Sequence, residues 1–177
     1  MKKILLITLM SISLMSFSKN ADERYRLEGA FYYAIGNKES LRGYSHYGFV
    51  SVGAMVEYEK KVSKKVDFTF GPKVSLAGGF SRSQNESNLY GRAAINLGLK
   101  GEVNYSIDNN IKVYGGVELG MGIFVSQSRI IYKKVEANVA PVYKSSLGIK
   151  LLNKYNIALF GGYEDKVITG LELGYTF

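Results

Sequence analysis

The chain has 177 residues and a formal charge of +8, with 20 Gly, 14 Tyr, 2 Pro and neither Cys nor Trp. This length suits one domain, and a hydrophobic fraction of 46% excludes a disordered protein. The absence of cysteine excludes disulfides, thiolate catalysis and Cys-ligated zinc, and the single histidine, His46, excludes a multi-histidine metal site, so we expect no cofactor. The abundance of Gly and Tyr favours strands over helices.

The first 18 residues have the three-part layout of a secretory signal peptide. Two lysines precede an apolar run, and the segment ends in the small-residue pattern of residues 16–18. The apolar stretch is shorter than the ~20 residues that a membrane-spanning helix needs. We therefore predict a cleaved signal peptide at residues 1–18 and an exported domain at residues 19–177.

Alternation of apolar and polar residues recurs along the rest of the chain and predicts eight strands. In each strand one set of alternate positions is apolar. In chain order these sets run from Tyr25 to Ile35, Gly48 to Tyr58, Val66 to Phe80, Ala93 to Tyr105, Ile111 to Val125, Val139 to Leu151, Tyr155 to Tyr163 and Val167 to Phe177. The eight sets hold 53 positions without a charged residue, where the 21% charged fraction would give about 11. The pattern therefore predicts an all-β fold.

The intervening positions carry the charges and many glycines. Seven of these charged residues are basic and six are acidic: Arg26, Glu28, Glu57, Asp67, Lys73, Arg92, Lys100, Glu102, Lys112, Glu118, Lys144, Lys150 and Glu172. Alternation fits a soluble barrel with an apolar interior or a membrane barrel with an apolar exterior. Glycines beside long charged side chains suit a narrow lumen, and nearly equal signs suit an enclosed interior. The pattern favours an eight-stranded antiparallel up-and-down transmembrane β-barrel whose lumen holds this charge network.

The connections between the predicted strands fall into two groups. We expect periplasmic turns at residues 59–65, 106–110 and 152–154, and extracellular loops at residues 36–47, 81–91, 126–138 and 164–166. The first turn contains the basic cluster 60–65, for which a contact with anionic headgroups and a plain solvated turn both remain open.

The third extracellular loop combines basic and apolar residues. This composition suits a contact with lipopolysaccharide phosphates, host glycans or a protein. A rigid hairpin that protrudes from the membrane explains the same residues without a partner. The candidate loop contacts are Arg129, Ile131, Tyr132, Lys133 and Lys134.

The end of the chain resembles the sorting signal of bacterial outer-membrane barrels, which end in Phe with hydrophobic or aromatic residues two and four positions earlier. Phe177, Tyr175 and Leu173 occupy these places. In architecture the chain resembles the family of small barrels that includes the transmembrane domain of outer membrane protein A, outer membrane protein X and the opacity proteins. The resemblance implies insertion into the bacterial outer membrane by the barrel assembly machinery, in contact with membrane lipid and lipopolysaccharide.

These observations predict a non-enzymatic outer-membrane protein with a structural or adhesion-like role, and a possible host or cell-surface ligand at its loops. The alternative is a lipid A modifying acyltransferase or deacylase, because two such enzymes use a His and a Ser on similar barrels. Adjacent residues point to opposite faces of a strand, however, so we expect His46 to be a solvated loop residue. The residues considered for that chemistry are His46, Ser45, Ser126, Ser128 and Asp165.

A narrow channel is the third possibility, although side chains can fill an eight-stranded lumen. Nucleic-acid binding is not expected despite the pI of about 9.5, because many basic residues alternate with acidic ones on the enclosed face.

Overall fold

The computed structural model describes residues 22–37, 44–82, 89–128 and 135–177. The predicted signal peptide and the candidate loop contacts at 129–134 lie outside these residues. No helix among the described residues is long and apolar enough to cross a membrane. The eight strands are β1 Asp22–Asn37, β2 Tyr44–Lys61, β3 Val66–Arg82, β4 Leu89–Asp108, β5 Ile111–Ser128, β6 Val135–Leu151, β7 Tyr155–Glu164 and β8 Val167–Thr176.

The strands form one closed sheet in which every strand pairs with its neighbours in the chain and β1 also pairs with β8. The closing ladder is antiparallel and extends from Arg26 opposite Thr176 to Ile35 opposite Val167. The prediction of an all-β, eight-stranded antiparallel barrel is confirmed. Closure satisfies the backbone hydrogen bonds that an open sheet would leave at its edges.

Several strands extend beyond the predicted limits. β2 begins at Tyr44 rather than at Gly48, and β5 and β6 stay paired as far as Gln127 opposite Val135. Here apolar residues no longer alternate with polar ones, but the backbone ladder continues, because main-chain pairing does not depend on which side chains face lipid. His46 therefore lies in a strand, not in the loop where we expected it.

The two ends of the barrel differ in their connections. The end that we call the turn end carries residues 62–65, 109–110 and 152–154, and the opposite loop end carries the connection 165–166. Leu152 and Asn153 both have φ of 54°, and the Lys154 N–H donates to the Leu151 carbonyl at 3.0 Å. Positive φ at both central residues is typical of a type I′ turn, whose twist matches that of the paired strands.

The outer face is an apolar belt with aromatic pairs near both ends. None of the 53 alternating apolar positions is buried, and Leu147 exposes 75% of its surface. Towards the turn end the rings of Tyr155 and Tyr175 meet at 5.3 Å, and towards the loop end those of Tyr143 and Tyr163 meet at 5.9 Å. The barrel therefore presents hydrocarbon outward and polar groups inward.

Glycines on the inner face allow neighbouring strands and side chains to approach closely. Gly98 faces Gly120 across the β4–β5 ladder, and a Cβ at either residue would lie 2.6 or 2.2 Å from a backbone carbonyl oxygen. No described glycine has a positive φ, so space rather than backbone conformation requires the missing side chain at these two positions.

Replacing Gly71 with alanine is expected to destabilise the barrel by about 1–3 kcal/mol, the usual cost of overpacking. A Cβ at Gly71 would lie 1.7 Å from the Val56 carbonyl oxygen. The pairing of β2 with β3 skips Gly71 and the next residue, Pro72, which has no N–H to donate. Gly78→Ala is the matched control, because a Cβ there meets nothing within 4 Å. Urea unfolding of both variants in lipid vesicles measures the difference, and equal stabilities would contradict the expectation.

Candidate functional site: an ion-paired interior

The structure places the thirteen charged residues of the predicted lumen network inside the barrel. Twelve of them are buried, and Lys112 is partly exposed near the turn end. They arise from alternate positions in β1 to β6 and β8, which the closed sheet turns towards its axis. Their ion pairs form three connected levels along the barrel.

The central level joins two lysines and three glutamates from five strands. Lys73 Nζ lies 2.9 Å from Glu118 Oε2 and 3.0 Å from Glu172 Oε2, and it also pairs with Glu28. Lys100 Nζ lies 2.7 Å from Glu28 Oε1 and pairs with Glu172. Because Lys73 on β3 and Glu172 on β8 are three strands apart in a ring of eight, their side chains cross the lumen.

A second level lies towards the turn end and is centred on Arg26. Its guanidinium donates two hydrogen bonds to Glu102, at 2.6 and 2.9 Å, and pairs with Glu57. Lys150 Nζ lies 2.8 Å from the second oxygen of Glu102. Lys100 connects the two levels, because its Nζ is 3.5 Å from Glu102. A bidentate arginine–carboxylate contact of this kind fixes geometry as well as charge.

The rim at the turn end continues the network. Lys112 Nζ lies 2.8 Å from Asp67 Oδ2 and 3.5 Å from Glu59 Oε1, while Arg24 pairs with Glu57 and Glu59. The sequence analysis did not include Arg24 and Glu59 in the network. The same alternation locates both, since each lies two residues from a predicted member.

The third level lies towards the loop end, where Glu164 is the shared acceptor. Lys144 pairs with Glu164, Tyr32 donates its hydroxyl proton to it at 3.0 Å, and Asn96 donates to it at 3.0 Å. Arg92 pairs with Asp165 in the connection after β7. We expected Glu164 and Asp165 in an extracellular loop, but β7 carries Glu164 inward as its last residue.

Towards the loop end aromatic rings join the charged residues of the interior. The rings of Tyr32 and Phe49 stack at 5.0 Å, and Phe160 meets Tyr32 edge-on at 5.8 Å. The Arg92 guanidinium lies 5.0 Å from the centre of the Phe124 ring. A cavity between these groups measures about 10 Å³, which is room for at most one water molecule. These inward aromatic residues were not singled out from the sequence, although they share the alternation of the charged residues.

The three levels and the rim together hold eight basic and nine acidic side chains, so their charges nearly cancel. These residues are Arg24, Arg26, Lys73, Arg92, Lys100, Lys112, Lys144, Lys150, Glu28, Glu57, Glu59, Asp67, Glu102, Glu118, Glu164, Asp165 and Glu172. Such pairing compensates for the removal of these groups from bulk water. Among the described residues, no group of three or more potential ligands has an arrangement that could hold a metal ion.

The residues considered for enzymatic chemistry are not brought together. His46 is exposed on the outer face, where its Nδ1 contacts the Tyr33 hydroxyl and the two rings stack at 5.6 Å. Asp165 instead accepts hydrogen bonds from Arg92 and from Asn138, the latter at 2.8 Å. The side chains of Ser45 and Ser128 lie outside the described residues. In the described part of the chain, no carboxylate orients His46 as the base of a catalytic triad would require.

Two residues of the predicted sorting signal, Leu173 and Tyr175, lie on the outer face of β8, and Phe177 directly follows the strand. Leu173 is exposed, and Tyr175 packs edge-on against Phe177 at 4.9 Å. The Phe177 N–H donates to the Tyr25 carbonyl at 2.8 Å, which ties the end of the chain to β1. Recognition of these residues during insertion stays a prediction.

Solved structures similar to this chain include small outer-membrane barrels. Ail, the attachment invasion locus protein of Yersinia pestis, is 12% identical with a TM-score of 0.49, over 89% of this chain and 99% of that chain. The N-terminal β-barrel domain of Pseudomonas aeruginosa OprF is 13% identical with a TM-score of 0.40, over 86% and 97%. No family model matches the sequence, and no curated protein does. The fold assignment therefore rests on the strand pairing of this chain itself.

Proposed function

We propose that this protein is an integral β-barrel of a bacterial outer membrane, with its turn end in the periplasm and its loop end outside the cell. One observation carries the proposal: large apolar side chains such as Leu147 and Leu159 are exposed around the barrel, while charged residues such as Arg26 and Glu102 are buried within it. Exposed apolar surface of this extent is unfavourable in water, and a hydrocarbon environment covers it without cost.

The proposed role is structural and interactive rather than enzymatic. Ion pairs that cross the lumen and an aromatic layer above them fill the interior, so the barrel strengthens the membrane rather than conducting solutes. Its contacts then lie at its surfaces: membrane lipid and lipopolysaccharide around the belt, and a host or cell-surface ligand at the loop end. Removal of residues 1–18 and insertion by the barrel assembly machinery are part of this proposal.

The closed interior is tested by electrical recording across planar lipid bilayers that contain the purified barrel. We expect no stepwise conductance at moderate voltage, because Lys73, Glu172, Arg26 and Glu102 fill the cross-section of the lumen. As a control, the sample is inserted into vesicles and must migrate as a folded barrel on an unheated gel. Regular conductance steps from such a sample would contradict the closed interior and favour the narrow channel.

Adhesion is tested in whole cells that display either the natural protein or a variant with residues 129–134 replaced by a short Gly-Ser tip. We expect both strains to admit small solutes equally, since the barrel below the loop is unchanged. Binding to host cells or isolated glycans is expected to fall in the variant. Equal binding by both strains at equal surface abundance would remove this loop from the proposed function.

A further inference from the structure

A groove of about 920 Å³ crosses the outer face of the barrel from β3 over β4, β5, β6 and β7 to β8. Leu147 and Leu159 border it and expose 75% and 69% of their surface, so the groove opens outward rather than into the lumen. Among its outward-facing residues the remaining border is apolar and the floor consists of small residues. The lining also includes residues that face the lumen: Thr69, Glu102, Gly116, Ser146 and Phe160. The border also includes Phe68, Phe70, Val103 and Val117, and the floor is formed by Gly101, Gly115, Ser145, Gly161 and Thr169.

The barrel itself does not require glycine on the floor of this groove. A Cβ at Gly101 would meet nothing within 4 Å, and at Gly115 and Gly161 the first contacts would be ordinary ones of 3.6 and 3.7 Å. Gly98 and Gly120 inside the barrel differ, because a Cβ there would collide with backbone. Glycine weakens a strand and often marks the close approach of another molecule. The groove therefore exists because these positions have no side chain, and larger residues there would fill it.

The groove begins close to a lysine-rich turn. Phe68, at its border, is paired with Val103, and one pleat nearer the turn end Val66 is paired with Tyr105. That separation is about 7 Å along the strand. The Lys65 ammonium group lies 6.0 Å from the centre of the Tyr105 ring. A positive charge therefore stands directly beyond one end of an apolar groove.

The backbone of this turn, residues 60–65, is held by hydrogen bonds. The Ser63 hydroxyl accepts hydrogen bonds from the N–H groups of Lys65 and Val66 at 3.3 and 3.1 Å. The Lys65 carbonyl accepts one from the Ser106 N–H at 2.8 Å, which attaches the turn to β4. The position of the turn backbone relative to the groove is thus set by the fold.

The lysines of the turn outnumber the acidic residues beside them in the sequence. Residues 60–65 include four lysines and no acidic residue, and Lys61, Lys64 and Lys65 are exposed. The flanking acids, Glu59 and Asp67, are buried in the interior, where Lys112 pairs with both. The turn therefore presents exposed lysines at the outer rim beside the groove.

We propose that the groove and the lysine turn together bind one anionic glycerophospholipid of the inner leaflet, with its phosphate at the lysines and an acyl chain in the groove. The inference rests on the proposed function, because that orientation puts the turn at the periplasmic headgroup level. Only an amphiphile with an anionic head and a hydrocarbon tail satisfies both parts at once. Surface lysines attract anionic lipid in general, and the groove adds a binding site for the acyl chain of one molecule.

The test is native mass spectrometry of the detergent-purified barrel, with equimolar phosphatidylglycerol and phosphatidylethanolamine added. We expect the natural protein to retain one phosphatidylglycerol in preference. Replacing both Lys64 and Lys65 with glutamine should weaken that binding about thirtyfold, from the usual contribution of two lysines beside anionic lipid. Lys154→Gln, in another turn at the same end, is the matched control and should change it little.

The groove is tested separately by Gly101→Leu and by Gly161→Leu, each of which fills it without a backbone collision. Either change should abolish retention of the single lipid, whereas Gly78→Leu, an outward glycine with open space outside the groove, should not. Unheated gel mobility verifies folding of each variant. The proposed site would be overturned if retention of the lipid depended on the lysines alone, on the groove alone, or on neither. A different result would contradict the proposed function itself, namely that the barrel stays soluble without detergent.

Discussion

Replacing Arg26 with methionine is expected to lower the free energy of unfolding by about 3–5 kcal/mol, the usual cost of removing one partner from a buried ion pair. Arg26 is 1% exposed and pairs with Glu28, Glu57 and Glu102. Its removal leaves these carboxylates with fewer positive partners in an interior that bulk water does not reach. The effect is large because methionine replaces the apolar stem of arginine but supplies no charge.

Urea titration of the barrel in phospholipid vesicles, followed by the difference in gel mobility between folded and unfolded chains, measures this loss. Lys154→Met is the matched control, because Lys154 is exposed in a turn and a surface lysine changes stability little. Adding Glu102→Gln to Arg26→Met should restore part of the stability, since it removes one of the stranded carboxylates. A loss below about 1 kcal/mol in the single variant would mean that the interior is hydrated enough to solvate these groups.

The sequence predicted the number of strands and their two faces because a strand has a period of two and a barrel has only two sides. Leu119 and Glu118 illustrate this: one is apolar and the other charged, and the structure places them on opposite faces. A closed barrel allows few exceptions to this alternation. A charged residue that faces outward is unfavourable, and so is a charged residue that faces inward without a partner. The predicted alternation is therefore strong even in a single sequence.

The partners within the lumen could not be predicted in the same way. Alternation says that Arg26 and Glu102 face inward, but not that they meet, because that depends on how far each strand is staggered around the barrel. The two residues are 76 positions apart in the chain. The inward aromatic residues near the loop end were missed for a related reason. Tyr32 lies between two outward aromatic residues, Phe31 and Tyr33, and differs from them only in being at the alternate position that faces inward.

The ends of the strands on the loop side could not be predicted from the alternation either. The outward face of β6 is regularly apolar from Val139, yet the strand begins at Val135, and Ser126 is paired with Glu136. Outside the apolar belt both faces can be polar, so the alternation weakens while the backbone hydrogen bonds persist. The paired strands β5 and β6 therefore continue beyond the apolar belt at the loop end.

Replacing Leu119 with arginine is expected to destabilise the barrel by about 2–4 kcal/mol if its outer face lies in a membrane, the usual cost of arginine near the bilayer midplane. Leu119 lies midway along the outward apolar residues of β5 and is 63% exposed. Val62→Arg is the matched control, because Val62 is 62% exposed in a turn that headgroups or water can reach. Unfolding measurements in vesicles compare the two variants. On a water-soluble barrel both would lie within about 0.5 kcal/mol of the natural protein, so equal stabilities would refute the membrane assignment.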